Sequence, residues 1–233
     1  MTEVPAGPLL QMLEKQQQSF SGLKAIASLE VKRGGRKRAF DTVGIVLDAQ
    51  RRLRVEAFGP LGQSIATLVW NGREFLLRLP DDDGIRKPGP VGIEKLFGIT
   101  MDGTELSAAI TGVIPALDPS STVRAFCAQD TMCMVEISHG DDMRRVRVLP
   151  APADPTQKGR VLAQELYRSG TLLYQARYHW EKNDHADFML PKSVTVENPS
   201  NNSSLTIEYA ETDMNVPVDQ ELFTLSGKEA GSQ

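Results

Sequence analysis

Leu23-Lys24-Ala25-Ile26-Ala27-Ser28-Leu29-Glu30-Val31-Lys32 alternates almost without a break: Leu23, Ala25, Ala27, Leu29 and Val31 take one set of positions, and Lys24, Ser28, Glu30 and Lys32 fall in the other. Successive side chains of an extended chain point to opposite faces, so this period predicts a strand with one buried and one wet face. The rhythm returns downstream and predicts strands over 38–48, 52–58, 64–70 and 74–79. Gly34-Gly35, Ala49-Gln50-Arg51, residues 59–62 and Asn71-Gly72 supply the turns, the last because Asn-Gly tolerates positive φ. Five strands over 23–79 therefore form an antiparallel meander.

Upstream, over 8–20, Leu9, Met12, Leu13 and Phe20 recur at helical spacing among glutamines and Lys15, which predicts an amphipathic helix. Downstream the rhythm breaks. Residues 81–84 open a loop, Pro88-Gly89-Pro90 end it, and two short helices follow near 91–97 and 103–111 within an insertion over 88–115. Asp102 is placed as the second helix's N-cap, with Glu105 three residues on as in a capping box, and Leu106, Ala109, Ile110 and Val113 form its apolar stripe. Strands resume over 122–224; the clearest sets Leu172, Tyr174, Ala176, Tyr178 and Trp180 against Gln175, Arg177, His179 and Glu181. Open sheets of eleven or twelve strands tend to curl. The expected fold is thus mainly β: one large curved antiparallel sheet of about 11–12 strands, an incomplete β-barrel whose concave face is closed by the N-terminal helix and the two-helix insertion. The proline-rich join at 150–155 has strands of like character on both sides, so residues 1–233 are read as a single domain.

Composition narrows the function classes. A formal charge of −4 spread along the chain offers no electrostatic basis for nucleic-acid binding. Two basic clusters stand out: Lys32 to Arg38 around Gly34-Gly35, which reads as a solvated hairpin in preference to a phosphate or lipid-headgroup contact, and Met143 to Arg147, which alternates with valine and reads as one polar strand face. No apolar run is long enough to span a bilayer as a helix, and the first residues carry no signal peptide, which leaves a cytosolic protein or a mature chain with a replaced start. His139, His179 and His185 are scattered, none at metal-ligand spacing, and His185 reads as a solvated loop residue. No nucleophile elbow, phosphate loop or dinucleotide fingerprint occurs, so no catalytic residue, metal or cofactor is assigned and the chain is expected not to be an enzyme; a hydrolase with an unrecognised site is the weakest reading. Asn201 to Ser204 hold overlapping glycosylation sequons, but the same residues suit a tight turn. Cys127 and Cys133 lie symmetrically about Asp130; a turn at 129–131 brings them onto one face of facing strands within bridging reach, and two small buried thiols are the alternative.

One hairpin tip differs from the rest. In Phe58-Gly59-Pro60-Leu61-Gly62, glycine and proline make a turn that exposes a leucine beside a phenylalanine. Inserted into a membrane or partner, one leucine contributes about 1.5 to 3 kcal/mol, enough for a transient contact and too little for an anchor.

Three segments together resemble the periplasmic lipoprotein-trafficking family that includes the soluble carrier LolA and the outer-membrane receptor LolB. They are residues 22–31, residues 52–63 continuing into 68–72, and residues 93–99 through Leu106 to 112–115; beyond these only strand spacing and the ending at 217–224 fit. The resemblance implies an incomplete barrel whose cavity accepts lipoprotein or phospholipid acyl chains, and a protruding loop whose leucine matters for delivery; Leu61 occupies the matching position. Phe58, Pro60 and Leu61 then form a membrane-contact loop, and Leu9, Met12, Leu13, Leu106 and Ile110 line the cavity, each with simple core packing as the alternative. It also implies a place on the periplasmic side of a Gram-negative outer membrane, with the native signal peptide and lipidated cysteine removed, and a soluble carrier protein as donor. The chain departs from the receptor in having no N-terminal lipid-attachment cysteine. The competing reading is a periplasmic sensor on the same fold that binds a protein partner.

Overall fold

The architecture follows from one topological demand, that the chain pass from one edge of a wide sheet to the other. A computed structural model describes residues 1–80, 84–128, 132–150, 159–181, 190–225 and 228–229. The first part comprises β1 (Thr2–Val4), α1 (Gly7–Gln18), β2 (Gly22–Arg33), β3 (Arg36–Asp48), β4 (Leu53–Phe58), β5 (Ser64–Trp70), β6 (Phe75–Arg78) and β7 (Gly84–Ile85). The insertion holds α2 (Pro90–Phe97) and α3 (Gly103–Thr111). The remainder comprises β8 (Thr122–Ala128), β9 (Met132–His139), β10 (Asp142–Leu149), β11 (Arg160–Arg168), β12 (Thr171–His179), β13 (Ser193–Asn198) and β14 (Ser203–Met214), then a 3₁₀ turn at Gln220–Phe223 and β15 (Lys228–Glu229).

Thirteen strands make one sheet in the order β1-β8-β9-β10-β11-β12-β13-β14-β2-β3-β4-β5-β6, every neighbouring pair antiparallel. The sheet is open rather than closed into a barrel, with β1 and β6 as its two edges. Two meanders, β2 to β6 and β8 to β14, are seamed along the long β14–β2 pair. Residue 79 leaves one edge and residue 122 enters next to the other, so the connection crosses the sheet. It does so on the concave side, where α2 lies over β2 and β14 and α3 over β13. Apolar residues of both helices and of α1 join one core with the inward strand residues.

Burial along β2 keeps the alternation of the sequence, with Leu23, Ala25, Ala27, Leu29 and Val31 all inward. The expected count of 11–12 strands becomes thirteen because the three residues of β1 pair with β8, a segment too short to show a period. A second pair, β7 with β15, is parallel. The helix expected over 8–20 stops at Gln18, and Phe20 lies beyond it, buried, with the Arg51 guanidinium 4.6 Å from its ring. One reading is corrected: the cluster from Met143 to Arg147 is not a single polar face, since Arg144 points inward with Val146 and Val148. Arg144 and Arg145 are adjacent, and a period of two cannot put both on one side. The loop at 81–83, the turn at 129–131, most of the 150–155 join and His185 lie outside the described residues.

The insertion is held closely. A Cβ at Gly103 would stand 2.0 Å from the Trp70 indole, so the first turn of α3 lies directly on that ring. Gly103→Ala gains at most about 1 kcal/mol in helix propensity and loses about 1–3 kcal/mol to overpacking, so overlap wins. The variant is expected to unfold at lower urea concentration, by about 1–2 kcal/mol, with a shifted tryptophan emission; unchanged stability and emission would show that the ring moves aside freely.

Candidate functional site

The concave interior has two unlike halves. Over β10 to β12 it is polar. Asp102 caps α3 by accepting the Glu105 N–H at 2.8 Å, as the capping pattern predicts, but the Glu105 carboxylate does not return to the cap. It reaches across to Arg144, whose Nη2 donates to Oε1 and Oε2 at 2.6 and 2.7 Å. Arg144 Nη1 also donates to Gln164 Oε1 at 2.9 Å and to Tyr174 Oη at 3.2 Å, and Tyr174 donates to Glu105. Gln164 donates to Tyr178 and, at 3.1 Å, to the Ala108 carbonyl; Tyr209 donates to the Ile110 carbonyl at 2.8 Å. Burial opposes the charge on Arg144, but Tyr174 and Glu105 more than offset it, and the guanidinium is held more basic than an exposed one. Burial raises the phenols of Tyr174, Tyr178 and Tyr209, so they stay protonated at neutral pH. The network fixes α3 to the sheet through both side-chain and backbone groups. Its one signal in the sequence was the adjacency of Arg144 and Arg145.

The other half is apolar. Leu29, Ile45, Leu53, Val55, Leu205 and Ile207 from the sheet face Phe97 of α2 and Leu106 and Ile110 of α3 around a crevice of about 20 Å³. Leu106 and Ile110 are thus part of the crevice wall. Leu9 and Leu13 are buried in the same core and Met12 is half-buried against it, but these three are outside the crevice wall. Among the described residues, no buried ion pair ties α2. Its C-terminal turn closes on Gly98, whose carbonyl accepts from Asn201 Nδ2 at 2.7 Å, so the amide of the first sequon is engaged in the fold.

The β4–β5 tip is a separate feature. Leu61 is 93% exposed. Its loop is bonded to itself: Gly59 N–H donates to the Gln63 carbonyl at 2.8 Å, Gly62 N–H to the Gly59 carbonyl at 2.9 Å, and Leu61 N–H to Gln63 Oε1 at 3.1 Å. Gly62 adopts φ +78°, which favours glycine. Pro60 is exposed with Leu61, whereas Phe58 is half-buried and its ring lies over Gly44, 3.4 Å from where a Cβ would stand. Cys127 and Cys133 face one another on β8 and β9 and are joined as a disulfide, with a Cα–Cα distance of 4.1 Å.

No protein-family model matches the chain, and no curated protein matches it. Solved structures share its fold. A LolA superfamily protein from Nitrosomonas europaea aligns over 93% of this chain and 97% of its own at 12% identity, with a TM-score of 0.62. A DUF1329 family protein from Desulfovibrio piger aligns over 96% and 98% at 13% identity and 0.65. A domain from Vibrio parahaemolyticus described as an outer membrane lipoprotein-sorting protein aligns over 92% and 94% at 10% identity and 0.55. At these identities the likeness is one of fold.

Removing one member of a buried pair strands the other charge, at about 3–5 kcal/mol, whereas replacing both by apolar residues is often neutral. Glu105→Gln is accordingly expected to lower the unfolding free energy by about 3 kcal/mol in urea titration, and the double variant Glu105→Leu/Arg144→Met to recover most of it. A double variant no better than the single one would mean that the remaining polar partners, not the charge, set the cost.

Proposed function

We propose that this chain is a non-enzymatic binder of lipid acyl chains, a LolB-like receptor or carrier that delivers lipoproteins to the outer membrane from its periplasmic side. The observation that carries the reading is the apolar crevice between the sheet and α2, a helix to which no buried ion pair is made among the described residues. The shared fold with a LolA superfamily protein and the sequence resemblance around Leu61 support it.

At about 20 Å³ the crevice has room for no more than a single water, so an acyl chain enters only by displacing a helix. The energetics choose which. Moving α3 means parting Glu105 from Arg144, at about 3–5 kcal/mol, besides several hydrogen bonds. Moving α2 exposes Ile93 and Phe97 and gives up the side-chain bond at Gly98, worth about 1 kcal/mol. Acyl burial returns about 0.8 kcal/mol per methylene, so roughly ten methylenes supply about 8 kcal/mol. In this reading α2 is the lid and α3 the fixed floor. Leu61 touches the receiving bilayer, and a soluble carrier protein is the donor.

The test is titration of delipidated protein with a fluorescent palmitoylated peptide. Saturable uptake that free palmitate competes away is expected, and its absence would sink the proposal. Leu61→Glu is expected to leave that uptake intact and to slow transfer into liposomes by at least about tenfold, the lower end of what one buried leucine contributes. Equal transfer rates would remove the loop from the mechanism.

A further inference from the structure

The basic hairpin between β2 and β3 has two faces that the sequence alone does not separate. Register pairs Lys32 with Lys37, Val31 with Arg38 and Arg33 with Arg36. Lys32 and Lys37 stand on the convex face and converge on Glu30, with Nζ–carboxylate distances of 3.0 and 2.5 Å. On that face one carboxylate is shared by both ammonium groups, which offsets half of their charge. Arg33, Arg36 and Arg38 stand on the concave face, in line with Leu29 and Val31, and among the described residues Arg36 and Arg38 have no ion-pair partner. With Leu96 of α2, which is 39% exposed, they surround an open pocket of about 460 Å³.

This pocket adjoins the apolar crevice. Leu29 belongs to the crevice and Val31, two residues on along the same face, to the pocket; Phe97 belongs to the crevice and its neighbour Leu96 to the pocket. A ligand spanning both would meet an apolar wall first and guanidinium groups after it. The Leu61 loop leaves the same end of the sheet, because β3 runs back from Arg36 and β4 returns antiparallel to it as far as Phe58. Arginine suits this place, since its planar fork binds two phosphate oxygens at once.

We propose that Arg33, Arg36 and Arg38 with Leu96 form a binding pocket for the phosphate of an anionic phospholipid headgroup, through which this end of the sheet docks on a bilayer. The solvated-hairpin reading holds for the lysine face and is replaced for the arginine face. An acidic protein segment would match the charge as well, but not the run of apolar wall into the interior beside Leu96. The proposal deepens the acyl-binding reading and rests on it for the direction in which the lipid lies.

The experiment is cosedimentation with phosphatidylcholine vesicles, with and without about 30% phosphatidylglycerol, at low and physiological salt. The unmodified chain is expected to bind the phosphatidylglycerol vesicles at least tenfold more tightly. Arg36→Gln/Arg38→Gln should remove most of that preference, while Lys32→Gln/Lys37→Gln, which deletes the same charge from the other face, should change it less than threefold; circular dichroism melts check that both variants fold. Equal losses in the two variants would show diffuse attraction by net charge and overturn the pocket, as would no loss in either. Displacement of the vesicles by poly-glutamate at matched charge, with no displacement by soluble glycerophosphoglycerol, would overturn it in favour of an acidic protein partner. Uptake of the palmitoylated peptide by the unmodified chain, without vesicles, reads the acyl-binding role separately, so each proposal can fail while the other stands.

Discussion

The ion pair between Glu105 and Arg144 is the interaction on which the interior depends. A thirteen-strand sheet whose chain leaves at β6 and returns beside the opposite edge must carry its connection across one face. That connection brings backbone carbonyls and a carboxylate into a region facing apolar strands. Burying such groups unpaired costs several kcal/mol. Arg144, Gln164, Tyr174, Tyr178 and Tyr209 supply partners, two of them directly to the α3 carbonyls of Ala108 and Ile110. The inward arginine on β10 answers the charge that α3 brings with it.

Concentrating the polar groups over β10 to β12 has a consequence for the rest of the concave face. The crevice formed by β2, β3, β4 and β14 faces helix residues that are apolar, Phe97, Leu106 and Ile110, and is lined by apolar side chains. One helix is tethered by charge-assisted bonds and the other by apolar contact and a terminal hydrogen bond. Local opening follows the weaker attachments. An interior built this way is closed at rest yet has a preferred seam, between α2 and the strands β2 and β14.

Much of this was legible in the sequence, and what was not shares a physical cause. Period-two segments, turn glycines and the Asp102 cap locate the long elements from α1 to α3 to within about two residues, because each is a local rule acting on neighbours in the chain. The open curled sheet follows from the number of such segments. The pairing of Glu105 with Arg144 joins residues 39 apart in sequence, and no local rule reaches that far. Likewise Lys32 to Arg38 is one basic run when read along the chain, and only the register of β2 on β3 sorts it into a lysine face paired to Glu30 and an arginine face. Phe58 looks like part of the tip until the sheet supplies Gly44 beneath its ring. Leu61 was readable because nothing distant competes for it.

The two exposed features at the end of the sheet gain meaning from the closed interior. A crevice of about 20 Å³ offers an acyl chain in solution no ready place, and opening it must be coupled to something that favours the open state. On the proposed reading a bilayer supplies that coupling. Leu61 and the arginine pocket hold the α2 seam next to a phase dense in acyl chains, and raising the local concentration of a ligand lowers the affinity each encounter needs. Away from the surface, α2 rests on Ile93 and Phe97 and the apolar wall stays covered, which limits the exposed apolar area that would otherwise promote aggregation. A lid held by a few kcal/mol of apolar contact is well matched to this use: weak enough for roughly ten methylenes to displace, and strong enough to close once the chain has gone.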